Sequence, residues 1–298
     1  MSGPNVETLN HTGLRQLLDL AADEGWNPGI GDVAAFRAVD PDGFLCIREG
    51  DELVAGIGVV RLDERNGFLG LYIANPTWRG KGHGFRLWQE ALARLESRGV
   101  ESIGLDGVIE QQANYRRSGF EFLHRNLRFV GPADRLLALT RDRSAVAHRR
   151  ETNTVDRAAA KALDHAVGAV ARDAFLDEWL VDRDDRYSLS VQDATGGEGF
   201  GTVRRCLEGW KMGPLVASTQ PLAEQLLAGL AGVAVAKSGY SGTGVSLTID
   251  VPEGNRPALQ LLEKADFEQT FETARMYRGP APVIDTARLW GVATLELG

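Results

Sequence analysis

A run of glycines and basic residues, Arg79-Gly80-Lys81-Gly82-His83-Gly84, has the residue types and spacing of an anion-binding loop. Glycines at alternate positions let the backbone turn tightly and bring consecutive N–H groups close to a ligand. A strand-like segment precedes the run and an amphipathic pattern follows it, so these groups would lie at a helix N-terminus, which attracts phosphate. The side chains of Arg79 and Lys81 add positive charge. The run therefore predicts a pyrophosphate site, the alternative being a turn that binds nothing.

Two other kinds of phosphate-binding loop do not fit this run. The segment lacks the pattern Gly-x-x-x-x-Gly-Lys-Ser/Thr, and its glycine spacing differs from the Gly-x-Gly-x-x-Gly of dinucleotide-binding folds. A second segment of interest, Tyr115-Arg116-Arg117-Ser118-Gly119-Phe120, ends a predicted short helix and leads into a strand. The two segments are separated by another predicted strand.

Together the two segments resemble the GNAT superfamily of acyl-CoA N-acyltransferases. Arg79-x-x-Gly82-x-Gly84 is similar to the acyl-CoA signature of that superfamily, and Tyr115-x-x-x-Gly119-Phe120 to its Tyr-x-x-x-Gly-Phe segment. The stretches EGWNPG, DPDGF and NYRRSGF resemble a tandem subfamily with a C-terminal acetyltransferase-like domain. The resemblance implies an N-acetyltransferase that uses acetyl-CoA as co-substrate, acts on a primary amine and needs no metal. A non-catalytic acyl-CoA sensor or regulatory protein is the alternative.

The resemblance also implies roles for individual residues. The pyrophosphate would be held by Arg79, Gly80, Lys81, Gly82, His83 and Gly84. Backbone groups of the preceding strand would bond the pantetheine arm, at Leu71, Tyr72, Ile73 and Ala74. Tyr115 occupies the position of the general acid, and its reference pKa of about 10 keeps the hydroxyl protonated at neutral pH. The alternative for Tyr115 is an aromatic residue that only packs.

The general base is left unassigned by the sequence. Many relatives in the superfamily place a glutamate on the strand before the loop, but residues 70–73 carry no carboxylate. Asp106 and Glu110 follow the next strand, and Glu24 and Asp32 lie near the first loop. Each of these carboxylates is also suited to a surface, capping or orienting role, and water is a further alternative.

The acceptor amine is expected beside the loop Glu24–Gly29, because in this superfamily the first two helices cover the acceptor side of the cleft. Trp26 could form an apolar or cation-binding wall there. Glu24 or Asp32 could meet a positively charged amine, and Asp106 is the remaining candidate for contact with the substrate. A tryptophan buried in the core is the alternative reading of Trp26.

The order of predicted elements indicates an α/β fold with two tandem GNAT-like domains, each a mixed, mostly antiparallel sheet flanked by helices. Residues 1–131 would form the catalytic domain and residues 132–182 a helical connector with the start of the second domain. Residues 183–298 would form a degenerate second copy. Gly67–Leu71 followed by a long helix resembles Gly209–Gly213 followed by another, which indicates an internal repeat.

The second copy lacks both chemical features of the first. Ser218-Thr219-Gln220-Pro221-Leu222 stands where the glycine loop would be, and it has no glycine or basic residue. Leu262 stands where the tyrosine would be, and Asp266 replaces the following glycine. We therefore expect the second half to be a structural, substrate-shaping domain without catalysis of its own.

Composition narrows the classes of partner. The chain has 298 residues and a net charge of −8, and its arginines are scattered, which argues against nucleic acid. No apolar run approaches the length of about 20 residues that a membrane helix needs. The first residues lack the pattern of a secretory signal, and Cys46 and Cys206 fit small core residues in a reducing compartment. A cytoplasmic location is expected, and the oligomeric state is not indicated.

Overall fold

The computed structural model describes residues 5–138, 155–239 and 244–298. In these ranges the chain forms two successive groups of strands and helices. The first group comprises β1 (Val6–Thr8), α1 (His11–Asp23), α2 (Asp32–Val39), β2 (Phe44–Glu49), β3 (Glu52–Arg61), β4 (Asn66–Ala74), α3 (His83–Ser97), β5 (Ser102–Gly107), α4 (Gln112–Arg117), β6 (Glu121–Pro132) and α5 (Ala133–Leu137). The second group comprises α6 (Arg157–Gly168), α7 (Asp173–Trp179), β7 (Arg186–Gln192), β8 (Glu198–Arg205), β9 (Trp210–Ala217), α8 (Gln220–Ser238), β10 (Ser246–Pro252), α9 (Arg256–Lys264), β11 (Glu268–Arg278) and β12 (Leu289–Gly291).

Local sequence accounts for the helices that flank the site. The side chain of Asn10 accepts a hydrogen bond from the N–H of Gly13 (2.9 Å) and caps α1. Helix α3 begins after Gly82, and its buried residues follow helical spacing to form one apolar face. Those residues are Leu87, Trp88, Ala91 and Leu95. No helix of the described ranges is long and apolar enough to cross a lipid bilayer.

The strands of the described ranges join one mixed sheet in the order β1-β2-β3-β4-β5-β11-β6-β10-β9-β8-β7, and β12 pairs with β9. Two of the pairs are parallel, β4 with β5 and β9 with β10. The remaining pairs of named strands are antiparallel. The predicted fold class, a mixed and mostly antiparallel sheet flanked by helices, is therefore confirmed. The sequence did not indicate that the two sheets would merge.

The sheets merge because β6 of the first half and β11 of the second half exchange places in the strand order. Strand β11 of the second half pairs with both β5 and β6 of the first half. Strand β6 of the first half pairs in turn with β10 of the second. The division at residue 131 stays a prediction, since β6 and β11 both lie between the halves. The predicted connector 132–182 contains α5, α6 and α7, and its residues 139–154 lie outside the described ranges.

A buried ion cluster also joins the halves. The carboxylate of Asp32, on α2, accepts from Arg186 Nη2 at 3.0 Å and lies 3.1 Å from Arg204 Nε, both on strands of the second half. The N–H of Gly29 donates to the same carboxylate at 2.9 Å. Burial alone would raise the pKa of Asp32, but the two guanidinium groups and this N–H hold it below its usual range. Asp32 therefore fixes the entry to α2 against the second half.

Replacing Asp32 with Asn should strongly destabilise the fold, because it leaves two buried guanidinium groups without their counter-ion. We expect a loss of about 3–5 kcal/mol in the free energy of unfolding, measured by urea titration. The contribution of a carboxylate with a lowered pKa is complete above about pH 4 and is lost as the pH falls through the folded-state pKa. The difference between Asp32→Asn and the wild type should accordingly shrink in acid.

Asp19→Asn, at an exposed position of α1, is the matched control and should change stability by no more than about 0.5 kcal/mol. Equal stability of Asp32→Asn and the wild type at neutral pH would contradict the structural role of the cluster.

Candidate active site

A cleft opens in the first half where two parallel strands separate. Residues 66–69 of β4 pair with residues 102–105 of β5, and beyond Leu69 the two strands no longer pair. At this point Leu71 takes a left-handed backbone conformation (φ +49°), and the pairing of β4 with β3 shifts register. The resulting cleft encloses about 660 Å³, part of it open to solvent. Leu71 and Tyr72, on the strand before the glycine loop, line it.

The glycine loop lies between this strand and α3. Gly80 and Gly82 have φ of +77° and +85°, which a residue with a Cβ adopts only under strain. The guanidinium of Arg79 donates from Nε to the carbonyl oxygen of Ala74 at 3.0 Å and also pairs with Glu24. The Nζ of Lys81 lies 4.2 Å from the ring centroid of Trp78. These contacts hold the start of the loop, and residues 79–82 remain exposed to solvent.

This arrangement fits a pyrophosphate group. The first N–H groups of a helix have no acceptor within the helix, and the helix dipole is positive at that end. Two exposed basic side chains, Arg79 and Lys81, flank these groups. In the ranges that the structure describes, no group of three or more acidic, histidine or cysteine side chains is arranged to hold a metal ion.

Two tyrosines reach the cleft from different elements. Tyr115, on α4, is 9% exposed, and its ring centroid lies 5.3 Å from that of Trp88. The ring centroid of Tyr72, on β4, lies 5.4 Å from that of the same tryptophan. Burial raises the pKa of Tyr72 to about 12 and raises that of Tyr115 further, with a contribution from Tyr72. Both hydroxyls are therefore protonated at neutral pH and able to donate.

Tyr72 is a residue whose side chain the sequence analysis missed. Only its backbone groups were expected to bond the pantetheine arm, because β4 precedes the glycine loop. The structure brings its ring into the same cleft as Tyr115. Alternation of side chains along β4 is interrupted at Leu71, so that local pattern did not indicate which face Tyr72 would take.

Two of the four residues predicted on the acceptor side, Asp106 and Asp32, form ion pairs with arginines. The carboxylate of Asp106 accepts from both Nε and Nη2 of Arg275, at 2.9 and 2.7 Å, and from Asn126 Nδ2 at 2.8 Å. Asp32 is occupied by Arg186 and Arg204. Each carboxylate therefore already neutralises a buried arginine of the second half, and contact of either with an amine stays a prediction.

The other two lie where they can influence ligands. Glu24 pairs with Arg79 beside the glycine loop. Trp26 lines the cleft, and its carbonyl oxygen accepts from Lys211 Nζ of the second half at 2.8 Å. Asn27 and Glu208 exchange two further hydrogen bonds, at 2.7 and 3.0 Å. The loop that carries Trp26 is therefore held by β9 and the turn that precedes it.

The second half also contributes directly to the cleft. The wall of the cleft includes Phe271 and Thr273 from the exchanged strand β11. It also includes Leu295 and Glu296 from the segment after β12. Arg128, from β6, completes the polar part of this wall. The sequence analysis identified none of these residues, because strand exchange brings them to the site and no local motif marks them.

The equivalent opening in the second half is filled by the chain itself. Strands β9 and β10 pair at residues 210–212 and 247–249. Beyond that point β12 pairs with β9, and the N–H of Val292 donates to the carbonyl oxygen of Asp250 at 2.8 Å. A Cβ at Gly213 would overlap the carbonyl oxygen of Val292. A proline in the first turn of α8 stands where the glycine loop would be.

A cleft between separating parallel strands, with a glycine loop at the following helix, defines an acyltransferase of the GNAT type, here in two successive copies. The first matches the Acetyltransferase (GNAT) family over residues 12–120, and the second an Acetyltransferase (GNAT) domain over residues 160–291. The chain belongs to the GNAT family of acyltransferases. The predicted tandem arrangement with a degenerate second copy is confirmed.

Similar proteins extend over nearly the whole chain. It is 31% identical over 278 residues to holothin acyltransferase of Pseudoalteromonas sp. (strain SANK 73390), covering 93% of this chain and 89% of that one. A proposed acetyltransferase from Pyrococcus horikoshii has a similar fold (TM-score 0.73, 20% identity, 100% and 97% of the two chains). So has a tandem GNAT protein of the clavulanic acid biosynthesis pathway (TM-score 0.61, 14% identity, 93% and 99%).

Changing Arg79 and Gly82 together to Ala should weaken acetyl-CoA binding, because it removes a guanidinium and strains the backbone at the start of α3. We expect affinity to fall at least about tenfold, a loss of about 1.4 kcal/mol or more in binding free energy, measured by calorimetry. The wild type should bind one acetyl-CoA per chain.

The matched control is Thr219→Ala with Gln220→Ala, at the equivalent exposed position of the second half. It should leave both affinity and stoichiometry unchanged. One site per chain with wild-type affinity after the change at Arg79 and Gly82 would refute the assignment of the cofactor to the first loop.

Proposed function

We propose that this protein transfers the acetyl group of acetyl-CoA directly to a primary amine. The observation that carries the proposal is that Tyr72 lines the cleft together with Tyr115 and has its hydroxyl beside the glycine loop, 3.0 Å from where a Cβ at Gly84 would lie. The loop supplies an anion site at the N-terminus of α3, and Tyr115 supplies a protonated hydroxyl in the wall of the cleft. Membership of the GNAT family supports the use of an acyl-CoA.

Different residues bind the co-substrate and donate a proton in the proposed reaction. The loop residues Arg79–Gly84 bind the pyrophosphate, and the unpaired edge of β4 bonds the amides of the pantetheine arm. Binding both substrates in one cleft converts a bimolecular reaction into an effectively unimolecular one. The hydroxyl of Tyr115 then protonates the departing sulfur. General acid catalysis of this kind raises the rate by about 10²- to 10⁴-fold.

The acceptor is proposed to be a small molecule. The acceptor side of the cleft is enclosed by Trp26, Phe271 and the segment that carries Glu296, and this wall mixes aromatic and polar groups. A relative that matches 93% of this chain is named for the acylation of holothin, which makes holothin a sensible member of an acceptor screen. A cytoplasmic location is part of the proposal, and the unpaired, buried Cys46 and Cys206 support it.

A screen of primary amines with acetyl-CoA tests this function. We expect stoichiometric release of CoA thiol and formation of an acetylamide with at least one small amine. Thiol detection measures the first product, and mass spectrometry identifies the second. Longer acyl-CoA donors assayed in parallel define the acyl chain. Tight acetyl-CoA binding without thiol release for any amine would favour the acyl-CoA sensor instead.

Tyr115→Phe should lower kcat by about 10²-fold and leave acetyl-CoA affinity within about threefold, because only the proton donor is removed. Stopped-flow thiol release and calorimetry measure the two quantities. Tyr72→Phe, at the other tyrosine beside the ring of Trp88, is the matched variant, and it should retain most of the rate. A larger loss in Tyr72→Phe than in Tyr115→Phe would transfer the acid role to Tyr72.

A further inference from the structure

The segment after β12 carries one carboxylate into the active site of the other half. After Val292 bonds to β10, the chain continues across the sheet to β4 of the first half. A Cβ at Gly70, on β4, would overlap the carbonyl oxygen of Glu296. Arg172 donates to the carbonyl oxygen of Gly298, and the N–H of Gly298 donates to Thr294 at 3.1 Å. The segment is thus held on both sides of Glu296.

The absence of a side chain at Gly70 has a direct consequence. Gly70 lies on the strand where many GNAT members place a glutamate, and a side chain there would occupy the space taken by the backbone of Glu296. The structure therefore brings a carboxylate to this part of the cleft from a different segment. Glu296, Tyr115 and Trp26 line the same cleft.

The carboxylate of Glu296 is held without being neutralised by a partner. Its Oε2 accepts from the hydroxyl of Thr294, and that hydroxyl also accepts from the Glu296 N–H at 3.0 Å. Among the described residues, no donor bonds Oε1 and no basic side chain forms an ion pair with Glu296. Asp106 is the other carboxylate lining the cleft, and Arg275 neutralises it.

Charged side chains from β6, β8, β9 and α2 influence the carboxylate of Glu296. Burial raises its pKa, and Lys211 on β9, Arg128 on β6 and Arg204 on β8 oppose that rise, while Asp32 on α2 adds to it. Asp250 already pairs with Arg128 at 2.7 and 2.9 Å, and Asp32 pairs with Arg204. A carboxylate with a raised pKa is a stronger base once ionised, which suits proton removal near neutral pH.

We propose that Glu296 is the general base of the acetyl transfer, supplied by the C-terminal segment in place of a side chain on β4. This inference rests on the proposed function. The acceptor ammonium gives one proton to Glu296, directly or through one water, and the freed nitrogen lone pair forms the C–N bond at the thioester carbon. The C–S bond breaks with its electron pair on sulfur.

The remaining protons balance through solvent and Tyr115. The sulfur takes the proton of the Tyr115 hydroxyl, and the acylated nitrogen loses a second proton that restores the tyrosine. The proton held by Glu296 leaves to bulk water. The products are one amide, one CoA thiol and one proton for each ammonium and acetyl-CoA consumed.

Glu296→Gln tests the assignment, because it keeps the shape of the side chain and removes its basicity. We expect kcat with a strongly basic amine to fall about 10²- to 10³-fold, with acetyl-CoA affinity within about threefold of the wild type. An amine of low basicity, already neutral at the assay pH, should lose much less rate. The acidic limb that Glu296 contributes to the pH–rate profile should disappear.

Two further variants separate base catalysis from a structural effect. Glu296→Asp keeps the carboxylate but retracts it, so it should show an intermediate rate and keep the acidic limb. Glu263→Gln, exposed on α9, is the control and should keep the wild-type kcat. Thermal unfolding and acetyl-CoA calorimetry on each variant establish that it is folded.

The possible failures are distinct. A folded Glu296→Gln variant within about threefold of the wild-type kcat, or one equally slowed for amines of high and low basicity, would remove Glu296 from the role of base. Wild-type protein that binds acetyl-CoA but releases no thiol with any amine would overturn the proposed function itself, and the base with it.

Discussion

Backbone N–H and C=O groups that leave water must find partners, and the separation of parallel strands in each half leaves such groups unpaired inside the sheet. In the second half, β12 and Val292 bond to the exposed edges of β9 and β10 and fill the opening. In the first half the opening remains as the cleft that carries Leu71, Tyr72 and Tyr115. The chain itself thus supplies the missing partners in the second half, whereas in the first half the opening leaves space for a ligand.

The degenerate half is therefore more than a support. Its β9 and the turn before it hold the loop of Trp26, and its exchanged strand β11 supplies Phe271 to the wall of the cleft. The segment that fills its own opening continues into the first half and ends there. Loss of the second glycine loop is compatible with this role, because the opening is occupied and no longer needs to bind a cofactor.

Features that depend on near neighbours were predictable from the sequence. The loop around Gly82 and the apolar face of α3 are set by local spacing, and the structure shows both. The ion pairs of Asp32 and Asp106 were not predictable, because their arginine partners lie 154 and 169 positions away along the chain. Glu296 carries no local signal at all, since its position follows from strand exchange and from the path of the last residues.

The exchange of β6 and β11 also bears on how the molecule is made. Strand β5 pairs on one side with β4 and on the other with β11, which is synthesised only after α9 of the second half. Contacts of such high sequence separation are slow to form, because the intervening chain must be closed into a loop first. Until β11 emerges, the first half presents an open sheet edge of the kind that recruits other chains. The duplicated architecture thus makes a complete active site a late product of synthesis and exposes its precursor to misassembly.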